Sequence, residues 1–451
     1  MSMSEDESMK IFSSAPVPQA VLKNALPAMA AMLLSLIYNL ADMFFIGQTN
    51  DALQVAAVSL ATPVFLIFMS MGTLFGIGGT SVISRAMGEG RKEYARKVSA
   101  FCMWSCVVVG IALSLLFWFF MDEILLLVGA SADTWDFTKT YLNIVALCGP
   151  FVLISNCFSN ILRTEGQSTK AVIGMVIGNI INIVLCPTLI LGFGLNIAGA
   201  AVAAVVGNVV GGTYYIFYFL RNQSMLSVSI RDFTLKDKVC SSVLAIGIPA
   251  SLGSLLMSFS QIILNSLMSG YGDMAVAGIG VASKITMITG MICIGLGQGV
   301  QPLLGYCVGA KMWERYDKVL KFSVGFALVL SIAITGLCYL FTGQIVRWFL
   351  SDISAFDYGL QFARILLSTS FLFEVFYVLT NALQAMGASL SSLITNLSRQ
   401  GLIYIPALFG LRAVLGVTGL VWAQPVADVL SIILAAILYI VTSRKMRCQE
   451  S

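Results

Sequence analysis

Long apolar runs separated by short polar stretches recur from one end of the chain to the other. A membrane-spanning helix needs roughly 20 mainly apolar residues. Twelve such runs can be marked, centred on 24–46, 54–80, 96–120, 139–162, 170–193, 198–220, 241–270, 276–308, 319–343, 358–386, 390–411 and 416–442. Backbone polar groups in hydrocarbon must be bonded internally, which leaves helices or a closed barrel. Barrel strands alternate apolar and polar residues. The stretch from Val107 to Phe120 is apolar on all sides, so helices are predicted.

Composition agrees. The 451 residues are 58% hydrophobic and 11% charged, against roughly 25% charged in soluble domains. Lipid must therefore cover most of the surface. Of the 26 lysines and arginines, 20 fall in the N-terminal segment, the even-numbered loops or the C-terminal tail. Examples are Arg91, Lys92, Arg96 and Lys97 after the second span, and Arg444, Lys445 and Arg447 at the end. The opposite side carries Asp51, Asp122, Glu123, Asp133, Asp136, Asp273, Asp352 and Asp357. Positive charge stays inside, so both termini are expected in the cytoplasm of a multi-pass cell-membrane protein. That requires an even number of spans. The net charge of +4 is this topology signal and does not point to nucleic acid. The opening residues, with Glu5, Asp6 and Glu7, lack the basic head and apolar centre of a signal peptide.

Several chemistries are excluded. The chain has no histidine, and its ten cysteines, such as Cys102, Cys106 and Cys157, fall mostly inside spans with no Cys-x-x-Cys. Histidine bases, Ser-His-Asp triads and Cys/His metal sites are removed together. No Gly-x-x-x-x-Gly-Lys-Ser/Thr is present, so ATP is not the energy source. Gly270-Tyr271-Gly272-Asp273 spells an intramembrane aspartyl-protease motif, but such an enzyme needs a second facing aspartate. Asp317, in a loop on the other side, cannot supply it. The glycines read more simply as a turn, and no enzyme is expected.

The chain also repeats itself. Met87-Gly88-Glu89-Gly90-Arg91-Lys92 aligns with Val308-Gly309-Ala310-Lys311-Met312-Trp313, an offset of 221. At the same offset Gly76 and Gly78 match Gly297 and Gly299, and Asn160 and Gly166 match Asn381 and Gly387. Pro27 matches Pro249 after a one-residue slip; Gly199 pairs with Gly419 and Asn208 with Asp428. Six spans per unit make a parallel repeat. The fold class expected is an all-α membrane protein with twelve transmembrane helices in two six-helix bundles related by pseudo-twofold symmetry. The predicted boundaries are 1–19 for an N-terminal segment, 20–220 for the first bundle, 221–239 for a linker, 240–443 for the second bundle and 444–451 for a tail. Transporters built this way hold substrate between their halves and expose it alternately.

Ordered motifs over almost the whole length resemble the multidrug and toxic compound extrusion (MATE) family. They are Tyr38-Asn39-Leu40-Ala41-Asp42, Phe44-Phe45-Ile46-Gly47, Ser84-Arg85, Leu162-Arg163-x-x-Gly166, Asn179-x-x-Asn182 with Pro187, Ile246-Gly247-Ile248-Pro249 and Gly297-x-Gly299-x-x-Pro302. The resemblance implies export of small organic cations, coupling to a proton or sodium gradient, and no bound cofactor. Two departures matter. Cys186 stands where many relatives carry an acid before Pro187, and Met257 stands about where another branch has a glutamate. Knowledge of coupling acids in the family therefore transfers to Asp42 alone.

Charges inside hydrocarbon are rare and usually functional. Asp42, Lys284, Glu374, Arg399 and Asp428 meet that description. Asp42 is the expected ion-coupling residue, against the plain reading of a structural salt bridge. Glu374 is read as a site for a cationic drug or a proton, or as a surface acid reaching outer water beside Arg364. Lys284 either snorkels along its stem or neutralises an acid. Tyr38, Asn39, Asn179, Asn182, Gln261, Asn265 and Gln298 complete the candidate cavity set, with interhelical hydrogen bonding as the simpler reading of each. No metal site is expected. Partners are organic cations, H+ or Na+ and membrane lipid, with no nucleic acid and a monomeric form. With Cys186 in place of a second acid, protons are the first choice of ion. The competing class is a flippase for a lipid-linked or amphiphilic substrate, which needs many bases for phosphate; Lys284 and Arg399 are the only basic residues deep within spans.

Overall fold

The structure, a computed structural model, describes residues 10–47, 52–221, 224–350 and 352–450. The described residues are helical with short connections. Helices α1 (Val17–Gly47), α2 (Ala52–Gly88) and α3 (Lys92–Phe119) are followed by the short α4 (Met121–Leu127). The next span is bent by 59° between α5 (Trp135–Ala146) and α6 (Gly149–Ile161). Its break falls at Leu147-Cys148, just before Pro150, which cannot donate a backbone hydrogen bond. Helices α7 (Ser168–Pro187) and α8 (Asn196–Leu220) complete the first half. The second half runs α9 (Val239–Ser269), α10 (Asp273–Gly309), α11 (Trp313–Leu340), the short α12 (Thr342–Phe349), α13 (Ile353–Ala385), α14 (Ser389–Leu397), α15 (Tyr404–Leu415) and α16 (Val417–Glu450).

Among the described residues ten helices are long and apolar enough to cross a membrane, and the bent pair makes an eleventh. The run at 390–411, expected as one helix, is divided. A π-helical turn, Ser398–Leu402, separates α14 from α15. With this divided segment the layout is the twelve-helix, two-bundle one expected from the sequence.

Helix surfaces are sorted by lipid. On α3, Ala95, Val98, Cys102, Cys106 and Gly110 recur at helical spacing and are buried. Val108, Ile111 and Leu115 lie on the other side and are exposed. On α11 Val329 and Ile332 are likewise open. Large apolar side chains facing outward along whole helices are at home only in hydrocarbon.

The repeat is visible in the element bounds. Helices α2 and α10 each have 37 residues, α3 and α11 each have 28, and both pairs start 221 positions apart. Helices α1 and α9 each have 31 residues and start 222 apart, absorbing the Pro27–Pro249 slip. Gly166 and Gly387 both take left-handed φ, +70° and +74°, as C-terminal caps. The turn at Gly90 (φ +75°) has Lys311 (φ +56°) as its counterpart.

Contacts divide the chain into two compact units. Among the described residues the first holds 10–15 and Ala30–Gly247; the second holds Pro16–Met29 and 248–450. The start of α1 therefore packs in the second unit, and the start of α9 in the first. Glycines make this possible. A Cβ on Gly299 would lie 2.6 Å from Ala25 Cα, and one on Gly295 2.6 Å from Met29 Cα. In the first unit a Cβ on Gly78 would lie 2.3 Å from Val243 O, and one on Gly247 2.2 Å from Leu74 O. Backbones meet directly at all four points, as small residues allow in membranes. In both α1 and α9 the change of unit falls within three residues of the internal proline, Pro27 or Pro249.

Candidate functional site

Each unit carries its own polar feature. In the first, Asn179 Nδ2 donates to Ser35 Oγ at 3.1 Å, joining α7 to α1. Asn39 Nδ2 donates to the Ser35 carbonyl at 2.7 Å within its own helix. Asn182, one turn beyond Asn179, is buried, and its Oδ1 has no hydrogen-bond partner among the described residues. Tyr38 sits on α1 beside Asn39 and is half-buried. The structure thus brings Ser35, Asn39 and Asn179 together. The side chain of Asp42 lies outside the described residues. Its backbone is part of α1, and positions 35, 39 and 42 recur at the spacing of one helix face.

The second unit holds a group of charges. Arg399, in the π-turn between α14 and α15, donates from Nε to Asp428 Oδ1 of α16 at 2.8 Å. Both residues are at most 10% exposed. Gln424 Nε2 donates to the same oxygen at 2.8 Å, and Thr369 Oγ1 to Oδ2 at 3.5 Å. The guanidinium stacks on Phe373, 3.8 Å from its centroid, and faces Phe376 at 5.7 Å. A planar cation between an aromatic face and a carboxylate is the arrangement arginine suits best.

Glu374 follows Phe373 on α13. It is 1% exposed, and neither carboxylate oxygen has a hydrogen-bond partner among the described residues. The Cys293 thiol of α10 lies beside it but donates to Thr289 O at 2.8 Å. Arg364, which would mark the outer water layer, is exposed, with its guanidinium 5.8 Å from the Tyr339 ring, whereas Glu374 is enclosed. Of the two readings for Glu374, the enclosed one matches its burial. The Arg399–Asp428 pair is self-neutralising, so Glu374 is the unbalanced charge of this group.

Other expected residues sit apart. Lys284 is exposed, with its ammonium 6.0 Å from the Phe349 ring of α12, a snorkelled position. Gln261 Nε2 donates to Asn265 Oδ1 at 3.3 Å, both exposed and one turn apart on α9. Gln298 is half-buried on α10. The sequence marked Arg399 and Asp428 singly but did not pair them. Opposite charges in two neighbouring spans were the available signal.

The first unit carries no charge at the equivalent positions. An offset of 221 carries Arg399 to Gly178, and the Gly199–Gly419 pairing carries Asp428 to Asn208, next to Gly207. There α7 and α8 touch backbone to backbone, a Cβ on Gly178 lying 2.7 Å from Gly207 O. Where the second half holds an ion pair, the first has glycine backbones in contact and a neutral Asn208 whose Nδ2 donates to Ala204 O at 2.9 Å within α8. The π-turn at Ser398–Leu402 accompanies that difference; such turns are frequent at functional sites.

The Leu162-Arg163-x-x-Gly166 motif has a structural role. Arg163 is fully buried and donates from Nη1 to Asn160 Oδ1 at 3.2 Å, while Gly166 N–H donates to Arg163 O at 3.1 Å.

The family model MatE matches the chain twice, over residues 27–188 and 249–409. The multidrug export protein MepA of Staphylococcus aureus is 32% identical over 445 residues, covering 98% of this chain and 97% of its own. Its namesake in Staphylococcus saprophyticus is 30% identical over 444 residues, with the same coverage. A solved MATE structure in its straight conformation matches with a TM-score of 0.91 at 22% identity, covering 98% of this chain and 99% of its own. An outward-facing multidrug resistance MATE family transporter gives 0.91 at 21% identity, over 100% and 99%. The two structures bear on the fold; the doubled family match and the full-length identity bear on descent. This chain belongs to the MATE family of membrane transporters.

Proposed function

We propose that this protein is a secondary active multidrug efflux transporter, exporting hydrophobic organic cations in exchange for protons by alternating access, with sodium as the second choice of ion. The observation that carries the reading is full-length identity to a multidrug export protein, with 98% of one chain and 97% of the other aligned. The chemistry supports it. A buried carboxylate without a partner is costly and must be matched by a proton or a cation. Glu374 is such a group among the described residues. Arg399 is already paired, and Lys284 lies against Phe349, so few bases remain for the phosphates a flippase would handle.

Asp42 stays the first candidate for ion coupling. Its place in the α1 motif and its helical spacing from Ser35 and Asn39 support this. Protonation would remove a charge that holds a cationic drug, so drug and proton would compete for one carboxylate. The lysine and arginine bias supports a cytoplasmic position for both termini.

Expression in a bacterium lacking its own pumps tests the substrate class. Protection against quaternary ammonium compounds and intercalating dyes is expected, and its loss in Asp42→Asn at equal expression. Protection confined to anionic compounds would overturn the reading.

A further inference from the structure

Outside the buried polar groups, the first unit carries a groove of about 550 Å³ where the linker leaves α8. Its walls are Lys92 and Arg96 from the first turns of α3, Phe219 and Leu220 from the last turn of α8, and the chain from Ser224 to Ser229. We infer that this groove binds the phosphate-bearing headgroup of an anionic phospholipid.

The donors fit a phosphate. Lys92 is exposed and has no ion-pair partner among the described residues. Arg96 gives one N–H to Asp232 at 3.3 Å, and a guanidinium has five. Ser227 Oγ accepts from Ser229 N at 3.1 Å, and Ser229 Oγ accepts from Arg231 N at 3.3 Å. Each serine thus keeps its own hydroxyl proton to donate. The acids nearby are Asp232, held by Arg96, Glu93 and Asp237, both held by Lys97, and Glu165. Glu165 is buried and accepts from Ser224 Oγ at 2.6 Å and Leu226 N at 3.0 Å, which ties the linker down.

The location fits a lipid. Leu220 ends a membrane span, and it and Phe217 are exposed. Arg221 stacks on Phe217 at 4.2 Å, and the Lys170 ammonium on Tyr218 at 5.0 Å. Aromatic rings carrying basic groups at a span end mark headgroup depth, and anionic lipids attract such bases. The groove is preformed, because the linker is also fixed by Trp104 Nε1 donating to Val228 O at 3.2 Å and by Phe233 stacked on Phe101. The repeat makes it specific to one half. Positions 313 and 317, equivalent to Lys92 and Arg96, are Trp313 and Asp317, and Asp317 is bound to Arg447.

The test uses the full-length protein in phosphatidylcholine nanodiscs, titrated with a fluorescent phosphatidylglycerol analogue. Each base near an anionic surface contributes about fivefold in affinity. Lys92→Gln should weaken binding about fivefold, and Lys92→Gln with Arg96→Gln about thirtyfold. Asp232→Asn frees Arg96 and should tighten binding, a gain that misfolding cannot produce. Unchanged affinity in the double variant, no gain in Asp232→Asn, or equal binding of a phosphatidylcholine analogue would each overturn the inference. Inorganic phosphate binding at the groove while the lipid analogue does not would also overturn it, by making this a free-anion site.

Discussion

Glu374 and Asp428 are both buried acids of the second unit, yet their surroundings set them apart. Asp428 accepts from Arg399, Gln424 and Thr369, whereas Glu374 has no such donors among the described residues. Removing one member of a buried pair strands the other, at a cost of about 3–5 kcal/mol, while replacing both with apolar residues is often neutral. Arg399→Met should therefore lower the thermal midpoint in detergent strongly, and Arg399→Met with Asp428→Leu should recover most of it. Glu374→Gln should leave the midpoint unchanged or raised, since an amide carries no charge to bury, yet alter the ion dependence of efflux. A Glu374→Gln protein with wild-type transport would make this acid structural. Sequence alone marked these residues because charge in an apolar run is conspicuous. It could not pair Arg399 with Asp428, since which faces meet depends on how α16 is rotated against the π-turn.

At the scale of helices, glycine does two separate jobs. At Gly78 a side chain has no room, because the neighbour is backbone at Val243. Gly78→Leu should cost about 3 kcal/mol and abolish transport. At Gly336 of α11 nothing lies within 4 Å. Gly336→Ala should gain about 0.5–1 kcal/mol through helix propensity. At the turns the backbone decides. Lys311 holds a left-handed φ that Gly90 adopts freely at the equivalent turn. Left-handed backbone costs about 1–2 kcal/mol for a residue with a Cβ, and glycine's extra freedom returns about 0.5–1 of that. Lys311→Gly should thus stabilise by about 0.5–1 kcal/mol, read as a higher thermal midpoint. A lower midpoint would mean that the lysine side chain holds the turn. Most elements were legible from hydropathy and the repeat. The segment 390–411 was not, because a π-turn changes hydrogen bonding without changing hydropathy. Nor was the crossing of α1 and α9 between units, which rests on glycine contacts distant in sequence.

For the whole molecule, one six-helix plan is written twice, and the two copies have diverged in their polar interiors. The first keeps Ser35, Asn39 and Asn179 in a neutral polar cluster near the Asp42 position; the second holds an ion pair and, nearby, an acid with no hydrogen-bond partner among the described residues. In the proposed mechanism an ion gradient drives cationic drugs across the membrane. The most direct measurement loads purified protein into liposomes with a cationic dye and imposes a proton gradient or a sodium gradient separately. The mechanism requires dye movement against its concentration under the proton gradient, abolished in Asp42→Asn. Dye movement under neither gradient, or at an unchanged rate in Asp42→Asn with the same ion dependence, would contradict it.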